Sequence, residues 1–242
     1  MLSMTDAVIL AGGRGTRLAA VLPDGWPKTL APIRGRPFLA YLLEDLYQRG
    51  VRRVTLCLGY GAAHVEEFLA RHRRPEDLSV HVAVEPRPLG TAGALREAMA
   101  HVRSDPFLAL NGDTYSDTDL DDLLASHIRW HAQITVALAR VGNVAGYGEV
   151  DLDADGRITR FSERAQSTGR GFVNAGIYAI NAAVISGLPR EGFLSLERDV
   201  LPRYAGHGLF GRMSSTWFVD IGTPESLRHA ADSIADHPAA AR

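Results

Sequence analysis

The first half of the chain alternates short apolar runs with longer amphipathic stretches. Residues 7–10, 54–58, 80–84 and 107–110 are apolar-rich segments of strand length, as expected of strands buried on both faces. Between them the apolar spacing becomes helical. After Pro37, whose fixed φ suits an early helix position, Phe38, Leu39, Leu42, Leu43 and Leu46 recur at core spacing until Gly50 ends the pattern. Residues 61–71 and 90–102 read similarly. Strand and helix in alternation predict a parallel sheet wrapped by helices. Beyond Asp113 the order loosens, to a helix at 119–130 and strands at 134–140, 157–161 and 172–180. A closing helix at 224–234 leads into an Ala-rich tail that should fray. This half reads as a mixed sheet closing over the first, and no internal repeat is visible.

Composition narrows the classes. A chain of 242 residues, 46% apolar and 22% charged, can bury one sizeable core, and a single soluble globular unit over residues 1–242 is expected. The formal net charge of -2 gives no general attraction to nucleic acid or anionic lipid, so a bound polyanion must meet locally placed cations. The densest basic run, Arg71, His72, Arg73 and Arg74, reads as the cationic close of a helix. No apolar stretch approaches the roughly 20 residues that span a bilayer, and residues 1–6 lack the pattern of a secretory signal, so a cytoplasmic protein is expected. The single cysteine, Cys57, lies inside an apolar run and reads as a small buried hydrophobe.

Directly after the first apolar run comes Leu10-Ala11-Gly12-Gly13-Arg14-Gly15-Thr16-Arg17-Leu18, where a nucleotide-binding loop of an open α/β sheet belongs. Small residues there let backbone N–H groups approach phosphate oxygens. A dinucleotide fingerprint fits badly, because Leu18 stands where the third glycine should be, and no Gly-Lys-Ser/Thr is present for a P-loop. An ordinary glycine turn is the plain alternative. Eleven residues beyond Arg17, Pro27 and Pro32 hold the chain extended around Lys28, the only lysine among 26 Lys and Arg residues. A retained ammonium in an arginine-rich chain marks a place for a compact point charge, unless it is a chance surface survivor.

Together, Ala11-Gly12-Gly13-Arg14-Gly15-Thr16-Arg17 and Pro27-Lys28 resemble the signature of the sugar-1-phosphate nucleotidyltransferases, and later motifs extend the likeness over nearly the whole chain. The resemblance implies a Rossmann-like three-layer αβα nucleotidyltransferase fold with a mixed, mostly parallel central sheet. It implies a nucleotide-binding half at about 1–115 and a sugar-phosphate-binding half at about 116–242. Its catalytic residues are Arg17, which would hold the outgoing pyrophosphate, Lys28, which would bridge phosphates, and Asp113. Leu10, Ala11, Gly12, Gly13, Gly15, Thr16 and Arg17 would line the nucleotide, with Gly90 and Thr91 of a second loop, Glu85 to Gly93, close to base and ribose.

Two acids, Asp113 in Asn111-Gly112-Asp113 and Asp220 in Phe218-Val219-Asp220-Ile221-Gly222-Thr223-Pro224, come from distant parts of the chain. Mg²⁺ takes one or two protein carboxylates and completes its shell with phosphate and water. Taken singly, Asp113 reads as a turn residue and Asp220 as a helix-start acid; the resemblance assigns both to Mg²⁺. Glu85 is suited to accept from the N1–H and amine of guanine, with a salt bridge to Arg87 or Arg96 as the alternative. Asp117, Asp119, Asp121 and Asp122 lack the glycine of a calcium loop and fit a helix start better. His127 and His131, four apart, lack the protease glutamate or a third ligand for zinc.

On the acceptor side the resemblance assigns Gly148, Glu163, Arg164, Asn174 and Glu197 to the sugar phosphate; Arg164 stands where relatives commonly carry lysine. Pro37-Phe38-Leu39, Asn111 to Thr114, Phe193 to Glu197 and Asp220 to Glu225 look most similar to the D-glycero-α-D-manno-heptose 1-phosphate guanylyltransferases. That implies GTP and a sugar 1-phosphate as partners, no nucleic acid, no membrane, and leaves room for a homodimer. Mannose-1-phosphate guanylyltransferases and small uridylyltransferases share most of these motifs. A non-catalytic sugar-nucleotide sensor would be expected to lose an acid or the lysine, and all three are present.

Overall fold

In the computed structural model, which describes residues 1–145, 147–163, 168–215 and 217–236, every residue of the first strand, β1 (Asp6–Leu10), is buried. Side chains alternate along a strand, so Ala7 and Ile9 enter one core and Val8 and Leu10 another. A strand apolar on both faces must be central, and β1 is. A small ribbon, β2 (Pro32–Ile33) with β3 (Arg36–Pro37), follows, then α1 (Phe38–Gln48), β4 (Arg53–Leu58), α2 (Ala62–Arg71), β5 (Ser79–Val84), α3 (Gly90–Ala98) and β6 (Phe107–Asn111). Strands β6, β1, β4 and β5 lie side by side in parallel, as the alternating pattern predicts.

The second part runs β7 (Thr114–Ser116), α4 (Leu120–Arg129), β8 (Ile134–Val141), β9 (Glu149–Leu152), β10 (Ile158–Ser162), β11 (Gly171–Ile180) and α5 (Ala182–Ser186). A π-helical turn (Leu196–Val200) then leads into α6 (Leu201–Tyr204), β12 (Leu209–Ser215), β13 (Phe218–Asp220) and α7 (Pro224–Asp236). Among the described residues the main sheet has nine strands. β11 is its hinge element: along one edge it runs antiparallel to β6 and, nearer its start, to β9, and along the other edge it runs antiparallel to β8. One core packs α1, α2, α4 and α7 on the sheet, and the second packs α3, α5, the π-turn and α6 on the opposite face. This is the three-layer, mostly parallel αβα architecture that the resemblance implies.

Differences from the expected elements have local causes. The helix expected at 90–102 stops at Ala98, because the chain turns so that the amides of Arg103 and Ser104 donate to buried Asp6 at 2.9 and 2.7 Å. Strands β9 and β12 lack an apolar run: only Val150 of β9 is buried, and Gly211 and Arg212 interrupt β12, with Arg212 bound to Asp122. The acids before α4 behave as expected of a helix start, Asp119 accepting from the Asp122 amide at 3.0 Å. His127 is buried between Thr135 Oγ1 at 2.9 Å and Asn181 Oδ1 at 2.8 Å, a structural histidine with both ring nitrogens engaged. Cys57 is buried against the Ala94 carbonyl, and burial pushes its thiol up to about 12. Among the described residues no helix is long and apolar enough to cross a membrane. The Ala-rich end, 237–242, lies outside the described residues.

Candidate active site

A cavity of about 610 Å³ opens at the carboxyl ends of β1, β4, β5 and β6. Parallel strands that diverge to opposite sides of β1 leave a crevice at this edge, the usual ligand position in an open α/β sheet. Its floor is the glycine loop. Gly12 passes so close to the Glu85 carboxylate that a Cβ there would stand 3.0 Å from Oε1, and a Cβ on Gly59 would stand 2.5 Å from the same oxygen. Gly13 lies against the end of the Lys28 side chain and Gly15 against its stem. The two sequence motifs therefore form a single packed surface.

Lys28 begins a short 3-10 turn (Lys28–Leu30) after Pro27, and its ammonium forms an ion pair with Asp113 Oδ2. Both side chains are mostly buried, 20% and 15% exposed, and both line the cavity. Asp113 is held by Gly112, whose amide donates to the Leu10 carbonyl at 2.9 Å. β13 pairs antiparallel with β7, setting Asp220 opposite Thr114, and the Ile221 amide donates to the Asp113 carbonyl at 2.9 Å. The two acids thus sit on adjoining segments. Asp220 Oδ1 accepts from the Gly222 amide at 2.8 Å and from Ser226 Oγ at 3.1 Å. Arg17 reaches this corner: a Cβ on Gly222 would meet its Nη2 at 2.9 Å and Asp220 Oδ1 at 3.2 Å. Arg17 and Asp220 flank the cavity and are not among its lining residues.

Glu85 follows β5 directly. Its Oε2 accepts from the Leu89 amide at 3.0 Å, and no cation pairs with it among the described residues. Burial raises its pKa, and the Leu89 amide only partly offsets this. Arg96, the expected alternative partner, turns to Glu97 and the Pro189 carbonyl. Gly90 has φ of +78°, and a Cβ there would collide with the Leu194 carbonyl; the same carbonyl accepts from the Ala92 amide at 2.9 Å. The glycine lets the 192–195 loop dock on the start of α3 and satisfy donors that a helix start leaves open. Thr91 lines the cavity, yet its hydroxyl is directed to Glu197, donating at 2.9 Å.

The far wall carries Glu163, Ser195 and Glu197. Gly148 runs beside the carbonyls of Ser162 and Glu163, and its own carbonyl accepts from the Asn174 amide at 3.2 Å, so these distant residues converge. Arg164 lies outside the described residues. The cavity also takes in residues to which the sequence reading gave no ligand role: Arg14, Tyr60, Arg87, Asn111, Phe193 and Arg198. Tyr60 and Asn111 had a readable signal, since both end or follow apolar strands at the same sheet edge. Phe193 and Arg198 had none of their own, because a loop places the first and the π-helical turn the second.

The sequence profile of the nucleotidyl transferase family matches residues 6–237. The D-glycero-alpha-D-manno-heptose 1-phosphate guanylyltransferase of Aneurinibacillus thermoaerophilus is 32% identical over 230 residues, 95% of this chain and 98% of its own length. The mannose-1-phosphate guanylyltransferase of Mycobacterium tuberculosis is 34% identical over 233 residues; 95% of this chain is covered, but only 64% of that protein. The crystal structure of HddC from Yersinia pseudotuberculosis complexed with GMP-PN superposes with a TM-score of 0.83 at 33% identity, over 95% of this chain and 99% of that one. By its motifs, its fold and these likenesses, the chain belongs to the nucleotidyl transferase family.

Proposed function

We propose that the chain transfers a guanylyl group from GTP to D-glycero-α-D-manno-heptose 1-phosphate, giving GDP-heptose and pyrophosphate. The observation that carries this reading is the Lys28 ammonium held between Gly13 and Asp113 at the cavity floor. It is a fixed cation where a triphosphate would enter over the glycine loop. Glu85, half-buried and paired with no cation among the described residues, supports guanine as the base, because a carboxylate can accept from both N1–H and the exocyclic amine. The similarity to the bacterial heptose 1-phosphate guanylyltransferase over nearly both full lengths supports the acceptor. A second reading, mannose 1-phosphate as acceptor, is favoured by the mycobacterial relative. In either case residues 1–242 would work as one cytoplasmic unit, with nucleotide held by the half before about 115 and sugar phosphate by the half after it.

The reaction is an in-line displacement. A phosphate oxygen of the sugar 1-phosphate attacks the α-phosphorus of GTP, the bond to the bridging oxygen breaks, and pyrophosphate leaves with the electron pair. No side chain becomes covalently attached. The barrier is the repulsion between two polyanions, and preorganised cations lower it most where charge grows. Lys28 would exchange its carboxylate partner for phosphate oxygens, while Arg17 and Arg14 meet the departing pyrophosphate. Asp113 and Asp220 fit a divalent cation, Mg²⁺ in this reading: among the described residues Asp113 Oδ1 and Asp220 Oδ2 accept no hydrogen bond, leaving one open oxygen on each acid. Such an ion supplies charge neutralisation and polarisation of the phosphate.

The test is to incubate each of the four ribonucleoside triphosphates, and dTTP, with hexose and heptose 1-phosphates and Mg²⁺, and to measure pyrophosphate. GTP with the heptose 1-phosphate should give the highest kcat/KM. Release only with a pyrimidine nucleotide would overturn the base assignment, and no release with any pair would overturn the activity.

A further inference from the structure

Glu197 is held by more side-chain hydrogen bonds than the function assigned to it requires. Its Oε2 accepts from Thr91 Oγ1 at 2.9 Å and from Ser195 Oγ at 3.2 Å, and its Oε1 accepts from Tyr178 Oη at 3.2 Å. Tyr178 is fully buried, and its hydroxyl also accepts from Asn174 Nδ2 at 2.7 Å. The Thr91 hydroxyl accepts from the Leu196 amide at 2.7 Å, so its proton is committed to Glu197. A continuous chain of hydrogen bonds therefore runs from the first turn of α3, through Glu197 and Tyr178, to Asn174 on β11.

Two backbone irregularities build this chain. Glu197 rides on the π-helical turn, whose Ser195 cap accepts from the Arg198 amide; such turns recur where a site needs a side chain re-aimed. In β11, Asn174 pairs with Leu138 and Tyr178 with Val136, so four steps of β11 lie against two steps of β8. Residues four apart in a straight strand are about 13 Å apart, too far for this contact. The bulge shortens the gap. It turns at Gly176, φ +72°, where a Cβ would meet Asn111 Nδ2 at 2.9 Å, and the Gly176 amide donates to Asn174 Oδ1 at 2.9 Å. Bulges of this kind re-aim side chains beside functional sites.

We infer that Tyr178 is a positioning residue, which, itself anchored by Asn174, locks Glu197 in the attitude that reads the hydroxyls of the acceptor sugar; the inference rests on the sugar-1-phosphate reading proposed above. An ionised carboxylate accepts and does not donate, so with its back held by three hydroxyls Glu197 selects hydroxyl donors. A sugar bearing its own carboxylate is repelled. Thr91, on the nucleotide side of the cavity, serves the acceptor through this lock.

The experiment uses the full chain and its Tyr178→Phe variant, with KM and kcat measured for GTP and for the heptose 1-phosphate separately, and melting temperature recorded. Losing a hydrogen bond to a charged group should raise the acceptor KM about tenfold, with kcat and the GTP KM within about twofold. Thr91→Val should raise the acceptor KM more than the GTP KM, and Thr91→Ser, which keeps the hydroxyl, should restore it. Calorimetric titration of the heptose 1-phosphate into parent and variant reads the same loss without turnover. An unchanged acceptor KM and affinity, or equal rises for both substrates, would overturn the inference. If the parent chain releases no pyrophosphate, the activity reading fails, while calorimetry still decides on Tyr178.

Discussion

The two walls of the cavity are made in opposite ways. On the nucleotide wall, most polar groups sit at or just past the carboxyl end of a parallel strand: the glycine loop after β1, Gly59 and Tyr60 after β4, Glu85 after β5, and Asn111 closing β6, with Lys28 brought in by its own short turn. The acceptor wall is assembled from segments far apart in sequence, through antiparallel pairing, a bulge, a π-turn and a docked loop. A parallel sheet delivers chemistry along one edge by its topology alone, whereas the acceptor wall needs a separate device for every residue. The difference suits the proposed function, in which phosphates would be met by backbone and a few cations and a sugar would be read hydroxyl by hydroxyl.

The sharpest way to break this contrast is at Lys28. Lys28→Ala should lower kcat about a thousandfold, the upper range for losing one preorganised electrostatic contact, with an unchanged fold by circular dichroism. Lys28→Arg should also be poor, because a planar fork does not replace a point charge between Gly13 and Asp113. An active Arg variant would show that the solitary lysine is accidental.

The seam between the walls is Gly90. In Gly90→Ala the left-handed backbone and the clash with the Leu194 carbonyl act together, and we expect a loss of about 2–3 kcal/mol in urea unfolding. The acceptor KM should rise as the 192–195 loop lifts from α3. Parent-like stability would mean that the loop is softly held and the acceptor wall less preorganised than its hydrogen bonds imply.

The smallest effect lies away from both walls. Burial lowers the pKa of His127, with the hydrogen bond to Asn181 and the charge of Asp105 opposing it. The folded state therefore favours neutral imidazole, and the unfolded chain binds the extra proton first. The contribution is fully present above the ordinary value of 6.5 and declines as pH falls through it towards the lower folded value. Urea midpoints from pH 8 to 5 should fall accordingly, and His127→Gln should flatten that slope while leaving both KM values in place. A slope unaltered in the variant would assign the pH dependence to another group.

The same contrast explains what the sequence could disclose. β1, β4, β6 and the helices beside them announce themselves, because burial on both faces demands apolar runs and helices need a stripe, whereas the half-exposed edge strand β5 shows only by its valines. Lys28 stood out by being solitary, and Asp113 by closing a strand. β9 and β12 escaped because short or polar strands are stabilised by their neighbours, not by their own composition. The turn of the Thr91 hydroxyl towards Glu197, and the part played by Tyr178, left no local mark. Tyr178 reads as one more aromatic in a strand, and its link to Thr91 runs through Glu197, 19 positions beyond it.

The two surplus residues in β11 carry a cost for anyone who would redesign this protein. Excising them would give an uninterrupted ladder with β8, a tidier and sturdier scaffold by every general rule. With Gly176 among them, it would also take away the amide that holds Asn174 Oδ1 at 2.9 Å, and so loosen the aim of that side chain at the phenol. Along this one strand, robustness and discrimination pull against each other, and nature's irregularity sits on the side of discrimination.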